Sequence, residues 1–348
     1  MTQAERKQIL LHRHHLIAPA DRLTVVRDLC GLQAQFTVNA RQALAIRCGE
    51  PLADENFCRG LVKNWTIRGT VHIFAETDLP LFCHGTYRYR NQDWSDYRPF
   101  SQNEPILAPD QRRCWAEFVL EQVAAGNGER DALKEICRTR GMTDDEMNWM
   151  FHPWGGGMRE LCERGFLNYA VQEKKAFMLC PPYTPMDTPD AEREMMRRYL
   201  AHYAPATLRD MAYFFGWTQA KCRTILWELP HESAVIDGRT YFWSDSLPTD
   251  CGDIPRCIFL AGFDPLMLGY RKEDSVFLPP EHLRGIFNLA GIVMPAVLLC
   301  GRVVGRWRRK GSRITVESFE TLDADAKRAV REMAEVCFPD LRRLDFAE

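Results

Sequence analysis

Apolar positions along this chain recur with two periods, and the places where one gives way to the other predict its elements. Near the N-terminus the period is helical: Leu23, Val26 and Cys30 share one stripe, on which Gln33 would come next. Gly31 is a helix stop, since glycine tolerates the left-handed backbone that ends many helices. An extended chain after it puts Gln33 and Gln35, two apart, on the same side. From 65 to 74 the period is two. Thr66, Arg68, Thr70 and His72 fall on one face, and Trp65, Ile67, Val71 and Ile73 on the other. This predicts a strand with one buried and one polar face.

Further on, a compound unit is visible. A helix over 207–215 stops at Gly216, Thr218 caps a second helix to 229, and a hairpin follows about Asp237-Gly238. Helix, turn, helix, hairpin is the order of a winged helix. A looser copy precedes it, with helices over 109–125, 131–139 and 159–164. Thr143 and Glu146 fit a capping box, and a hairpin over 166–179 turns at 173–175. The region from Glu5 to the strand at 65–74 is a third such unit. The prolines over 181–189 mark a linker, and a second boundary falls near 244–255. Beyond it, apolar runs at 258–260, 296–300, 303–307 and 314–316 predict strands. Gly301-Arg302 suits a type II′ hairpin turn, and a helix over 324–336 closes the sheet. The expected fold is α+β. It has three tandem winged-helix units (1–105, 106–185, 186–250) and a small antiparallel sheet or barrel (251–348).

Composition narrows the classes. With 348 residues, 46% hydrophobic and 26% charged, the chain can bury a core without staples. Its 13 cysteines are scattered without a Cys-x-x-Cys pair, which argues against a zinc knuckle and for free thiols in a reducing cytoplasm. No secretory signal or membrane span is legible, so a cytoplasmic protein is expected. A net charge of −2 excludes a uniformly basic nucleic-acid coat. Basic and aromatic residues nevertheless interleave at Tyr87, Arg88, Tyr89, Arg90, Trp94, Tyr97 and Arg98. A second basic run holds Arg306, Arg308, Arg309, Lys310 and Arg313.

Several of these strings together resemble the AlkZ-like branch of the winged-helix DNA-binding protein family, which includes bacterial DNA glycosylases. They are Leu32-Gln33-Ala34-Gln35, Trp65-Thr66-Ile67-Arg68-Gly69-Thr70-Val71-His72, Phe263-Asp264-Pro265 and Gly301-Arg302-Val303-Val304-Gly305-Arg306-Trp307. The resemblance spans nearly the whole chain. It implies tandem winged helices and a β-rich domain around a basic concave cleft for duplex DNA. It also implies excision of bulky N7-alkylated purines, interstrand crosslinks included, by a Gln-x-Gln motif that Gln33 and Gln35 match. A functional β-hairpin of that family has its counterpart among 284–298.

The residues suit that chemistry. An N7-alkylated guanine is cationic and already a good leaving group. Two amides then have only to orient a water at C1′ and preorganise the site, where Gln-x-Asp would add a carboxylate base. Arg68, Thr70 and His72, with Arg88, Arg90, Arg306 and Arg308, are the candidate DNA contacts, and His72 could also touch the sugar. Base release without strand cleavage, no cofactor, no metal and a monomer acting at the nucleoid are expected. His12, His14 and His15 lack a nearby carboxylate or Cys at ligand spacing, so they read as a solvated helix end. Two rivals stand beside this reading. A non-catalytic winged-helix regulator would explain the architecture but not the glutamine pair. A small-molecule enzyme lacks its phosphate loop, since Gly155-Gly156-Gly157 has no Lys-Ser/Thr after it.

Overall fold

A computed structural model describes residues 1–49, 57–66, 68–84, 94, 105–153, 155–244 and 246–347. By its contacts the chain divides into two compact units, Met1–Arg59 with Glu192–Glu348, and Gly60–Ala191. This division is coarser than the four expected segments, and its first cut falls inside the first of them. The reason is local: Leu61–Trp65 pairs antiparallel with Val71–Ala75 and, through Lys63 and Tyr169, with Leu167–Tyr169. Among the described residues, no helix is long and apolar enough to cross a membrane.

In the larger unit, helices Gln3–Arg13, Arg22–Asp28 and Thr37–Cys48 open the chain. Thr2 and Glu5 form a capping box on the first, and the Asp21 carboxylate caps the second. Gly31 does stop a helix. Its φ is 80°, its N–H donates to the Val26 carbonyl at 2.7 Å, and Cys30 before it is also left-handed at 54°. The helix Thr188–His202 was not expected, because its start lies in the proline-rich stretch. Pro189 sits in the first turn, where a missing N–H breaks no hydrogen bond, and Asp190 suits the positive helix end. Its buried face carries Met195, Met196, Tyr199 and Leu200. Tyr199 stacks on Tyr203 with centroids 5.0 Å apart and planes 2° apart. Tyr203 then donates its hydroxyl to the Leu29 carbonyl at 2.8 Å, fixing the chain just ahead of the glutamines.

The unit read from 207 onward is present element by element. Leu208–Phe215 is capped by Thr207, Gln219–Trp227 by Thr218, and Glu232–Ile236 pairs with Arg239–Trp243. At its turn Asp237 and Gly238 have φ 49° and 74°, the two positive values of a type I′ turn.

The C-terminal sheet has five strands, in the order Arg343–Ala347, Arg313–Ser318, Arg302–Lys310, Ala296–Leu299, Cys257–Phe259. Two expectations need correction. The Arg343–Ala347 strand was not foreseen and runs parallel to Arg313–Ser318, so the sheet is mixed. Helix Ala324–Cys337 makes the crossover that a parallel pair requires. The hairpin between Leu299 and Arg302 turns through Cys300 and Gly301, with φ 46° and 69°. Two positive values make it type I′, not II′. The core under this sheet holds Phe259, Val297, Val304, Trp307, Ile314 and Val330.

In the smaller unit the strands run Val71–Ala75, Leu61–Trp65, Leu167–Tyr169, Phe177–Leu179, all antiparallel. Helices Pro109–Ala124, Arg130–Thr139, Asp144–Met150 and Gly156–Glu163 close over a core around Trp149, Met150 and Leu161. The Thr143–Glu146 capping box forms as read. The continuous strand over 65–74 does not. The chain reverses between Trp65 and Val71, which pair across a hairpin. Gly69, at φ 71°, donates its N–H to the Thr66 carbonyl, and the Thr66 N–H donates to the Thr70 carbonyl. The period of two was carried through a turn that a left-handed glycine makes.

Candidate active site

Gln33, half-buried, ends the two-residue strand Leu32–Gln33, and Gln35, exposed, lies in the bend that follows rather than on the extended stretch expected for both. Their side chains meet: Gln33 Nε2 donates to Gln35 Oε1 at 3.3 Å. Leu32 and Ala34 on either side are fully buried, so the amides are pressed outward while the backbone is held from behind. The pairing uses one donor of Gln33 and one acceptor of Gln35. Gln33 Oε1, an acceptor, and Gln35 Nε2, a donor, lie outside this hydrogen bond.

The residues just beyond the glutamines fix their position. Phe36 is 50% exposed and stacks on buried Phe263, with centroids 6.0 Å apart. Phe263 holds a left-handed backbone at φ 56° and donates its N–H to the Val293 carbonyl at 3.1 Å. Asn39 lies over Gly262 so closely that a Cβ there would be 2.8 Å from Asn39 Nδ2. At the far end of helix Thr37–Cys48, Arg47 meets Asp264 in a bidentate pair of 2.7 and 3.0 Å, both side chains wholly buried. Asp264 Oδ1 also accepts from the Leu266 N–H, and Arg47 Nη1 also donates to the Ala43 carbonyl. The string Gly262-Phe263-Asp264-Pro265 is therefore a bracket for the helix that begins beside Gln35.

That bracket reaches a second exposed feature. Phe287 and Val293 form an antiparallel bridge, and the Asn288 N–H donates to the Ile292 carbonyl. The resulting tight hairpin turns through Leu289, Ala290 and Gly291, with Leu289 88% exposed. It lies within the expected 284–298 interval.

The remaining candidates divide. Arg68, Thr70 and His72 belong to the smaller unit. Arg68 and Thr70 are half-buried, but His72 is fully buried and cannot face a phosphate or sugar as placed. Its Nδ1 lies 3.0 Å from the Thr70 carbonyl and 3.1 Å from Thr66 Oγ1, and its Nε2 lies 3.2 Å from Arg68 Nη1. A carbonyl and a guanidinium fix the tautomer: Nδ1–H donates to Thr70, and Nε2 accepts from Arg68. Burial, and then the Arg68 charge, push the imidazole down to about 3, so it is neutral at physiological pH. The role that fits is to aim Arg68. Arg88 and Arg90 lie outside the described residues. On the basic strand Arg306 is clasped by Glu317 at 2.6 and 3.0 Å, and Arg309 pairs with Asp340. Arg308 and Lys310 are exposed. Sequence reasoning missed Phe36, Arg47 and Leu289. The only signal for the last was the Asn288…Gly291 turn.

The chain was compared with known proteins. A family model described as DNA glycosylase AlkZ-like matches residues 26–337. An interstrand DNA cross-link repair glycosylase of Streptomyces sahachiroi is 25% identical over 334 residues, 89% of this chain and 88% of that one. Among solved structures, the Streptomyces sahachiroi DNA glycosylase AlkZ superposes with a TM-score of 0.74 at 23% identity, covering 100% of this chain and 99% of that one.

Proposed function

Because this chain belongs to the AlkZ-like DNA glycosylase family, we propose that it hydrolyses the N-glycosidic bond of bulky N7-alkylated purines in duplex DNA, interstrand cross-links included. The observation that carries this is the Gln33–Gln35 amide pair, outward-facing and held by a buried bracket. The lesion base is cationic before the enzyme acts, so the leaving group needs no strong acid. The enzyme has still to place a water at C1′ and to stabilise positive charge building on the sugar. Gln33 Oε1 accepts from that water, and Gln35 Nε2 donates to it. As the water oxygen bonds to C1′ the C1′–N9 bond breaks, the cationic base leaves neutral and the water's proton passes to bulk solvent; neither amide takes it up, so the contribution is orientation and a fixed dipole.

Phe36 presents an apolar face beside the amides, against which a base or sugar can rest. Leu289, bare at a hairpin tethered to Phe263 through Val293, is the side chain to enter the stacked bases beside the lesion. A cross-linked base cannot be drawn into a closed pocket, and an exposed motif suits it better than a base-flipping cavity. The helix–turn–helix–hairpin elements act as winged helices on the duplex, and the protein works as a monomer. The reaction is monofunctional. A lyase needs an amine that forms a Schiff base. Lys63, whose ammonium burial pulls down to about 8, is instead engaged as a donor to the Gln172 carbonyl at 3.3 Å.

The test is direct. The protein is incubated with duplex carrying N7-methylguanine or a bis-alkylated cross-link, and abasic sites are revealed by heat or alkali. Release of base with the strand intact, and no borohydride-trapped adduct, is expected. Tight DNA binding without base release from either substrate would make the protein a regulator. A trapped adduct lost in Lys63→Ala would make it a lyase.

A further inference from the structure

Outside the glutamine site, the fold assembles a group that the sequence keeps far apart. His15, Asp28 and His202 bring their ligand atoms within 4.8 Å of one another. His15 Nε2 is 2.9 Å from Asp28 Oδ2, and His202 Nε2 is 3.3 Å from Asp28 Oδ1. We infer that these three side chains form a binding site for a borderline divalent transition-metal ion, zinc foremost.

The donor set is two imidazoles and one carboxylate, a combination that zinc takes with a fourth position left for water. Ligand bonds of about 2.1 Å in a tetrahedron put neighbouring donors roughly 3.4 Å apart. His15 and His202 each lie close to a different Asp28 oxygen, at 2.9 and 3.3 Å, and with the three ligand atoms within 4.8 Å of one another the imidazoles must draw together by up to about 1.4 Å to reach this. The side chains keep 14%, 21% and 26% of their exposure, so an ion can enter while the ligands stay packed. His15 follows helix Gln3–Arg13 in a left-handed turn at φ 57°, which swings its ring toward Asp28. His202 is the last residue of Thr188–His202. The carbonyl ends of an 11-residue and a 15-residue helix thus bracket the site, and both favour a cation. The nearby cations are already engaged. Arg13 donates to the Leu200 and Ala204 carbonyls, and Arg197 pairs with Glu194.

His14, next in line, is turned away and bonded to the Tyr270 hydroxyl at 2.9 Å. The run of histidines near position 15 therefore contributes one ligand only. The carboxylate that the local sequence lacks comes from the next helix, and the second imidazole from a helix 187 residues further on in sequence (202 − 15). Asp28 lies five residues before Gln33 (33 − 28). An ion here would tie three helix ends together. Its role is structural, and it takes no part in bond cleavage.

The test uses the full-length, metal-stripped protein titrated with Co²⁺ and Zn²⁺. Calorimetry is expected to show one equivalent bound, and Co²⁺ to develop visible bands of a nitrogen–oxygen site without thiolate charge-transfer absorption. Zinc should raise the melting temperature in a concentration-dependent way. His202→Gln and His15→Gln, each checked for native circular dichroism, should weaken binding by roughly tenfold or more. Asp28→Asn should do the same. No saturable binding by the wild-type chain overturns the proposal. So does thiolate absorption, or unchanged affinity in the two histidine variants, since the ion would then sit on some of the 13 cysteines. In those cases Asp28 is simply a shared partner of the two imidazoles.

Discussion

The glutamine segment and the hairpin that carries His72 begin as similar strings and end as opposites. Each sets polar side chains among apolar ones in the N-terminal part of the chain. At Gln33–Gln35 the apolar neighbours are buried and the amides face out. At Thr66–His72 the polar groups turn inward on one another, and the imidazole has no exposure at all. The first pairs its two amides with each other at the surface, and the chain beyond them is held by a remote buried ion pair. The second satisfies its polar atoms internally, with the Arg68 guanidinium drawn onto the imidazole. A polar residue in an apolar stripe is therefore a candidate for a site only when it stays at the surface, as the glutamines do and His72 does not.

The largest test of this contrast is the bracket. If the glutamines are held by Arg47–Asp264, Asp264→Ala leaves a guanidinium buried with no carboxylate. Breaking such a pair from one side costs about 3–5 kcal/mol. Denaturant unfolding of the variant should show a loss of that size. A loss below about 1 kcal/mol would mean that the bracket does not hold the segment.

Next in size is the amide pair itself. Gln35→Ala and Gln33→Ala should each lower single-turnover base release by roughly 10²–10³-fold, the range for removing one preorganised donor. Affinity for the duplex should be nearly unchanged. Wild-type excision in both variants would remove the catalytic assignment and leave the DNA-binding reading in front.

How much of this the sequence disclosed is a matter of range. Elements fixed by local signals came through: the Gly31 stop, the Thr143 capping box and the Asp237-Gly238 turn. The glutamine pair was legible because its members lie two residues apart in sequence, although only Gln33 is on the strand. The Arg47–Asp264 pair was not, since 217 residues separate its members and no local pattern links them. The hairpin over 65–75 was misread as one strand because a turn through Gly69 preserves the alternation of side chains. Arg306 was read as a DNA contact because its strand is basic, but the paired strand supplies Glu317 opposite it.

The inward-turned region gives a smaller, pH-dependent effect. His72 has a folded-state value depressed to about 3, below the ordinary value near 6.5 of an unfolded chain. The unfolded state therefore binds the extra proton between these limits. The stability that a neutral His72 contributes is fully present above about pH 6.5 and is lost as pH falls through that window toward 3. The slope is at most about 1.4 kcal/mol per pH unit for one proton. Unfolding free energies measured from about pH 7 down to about pH 5.5 should converge between wild type and His72→Gln as pH falls. Parallel curves would mean that the imidazole is protonated in the folded protein.

The smallest expected effect carries the same contrast onto a single strand. Arg306 and Arg308 both belong to Arg302–Lys310, two residues apart, and the sequence cannot tell them apart. Arg306 is bidentate to Glu317, whereas Arg308 is exposed. A guanidinium already matched by a carboxylate releases no counterion when DNA arrives; an exposed one does. Each phosphate contact contributes about −0.9 to the slope of log K against log salt. Arg308→Gln should therefore flatten the slope for undamaged duplex by roughly that amount. The charge-neutral double variant Arg306→Gln/Glu317→Gln should leave it where it was. If the double variant flattens the slope and Arg308→Gln does not, Arg306 leaves Glu317 for a phosphate on binding. The line between inward and outward polar groups would then be one that DNA itself redraws.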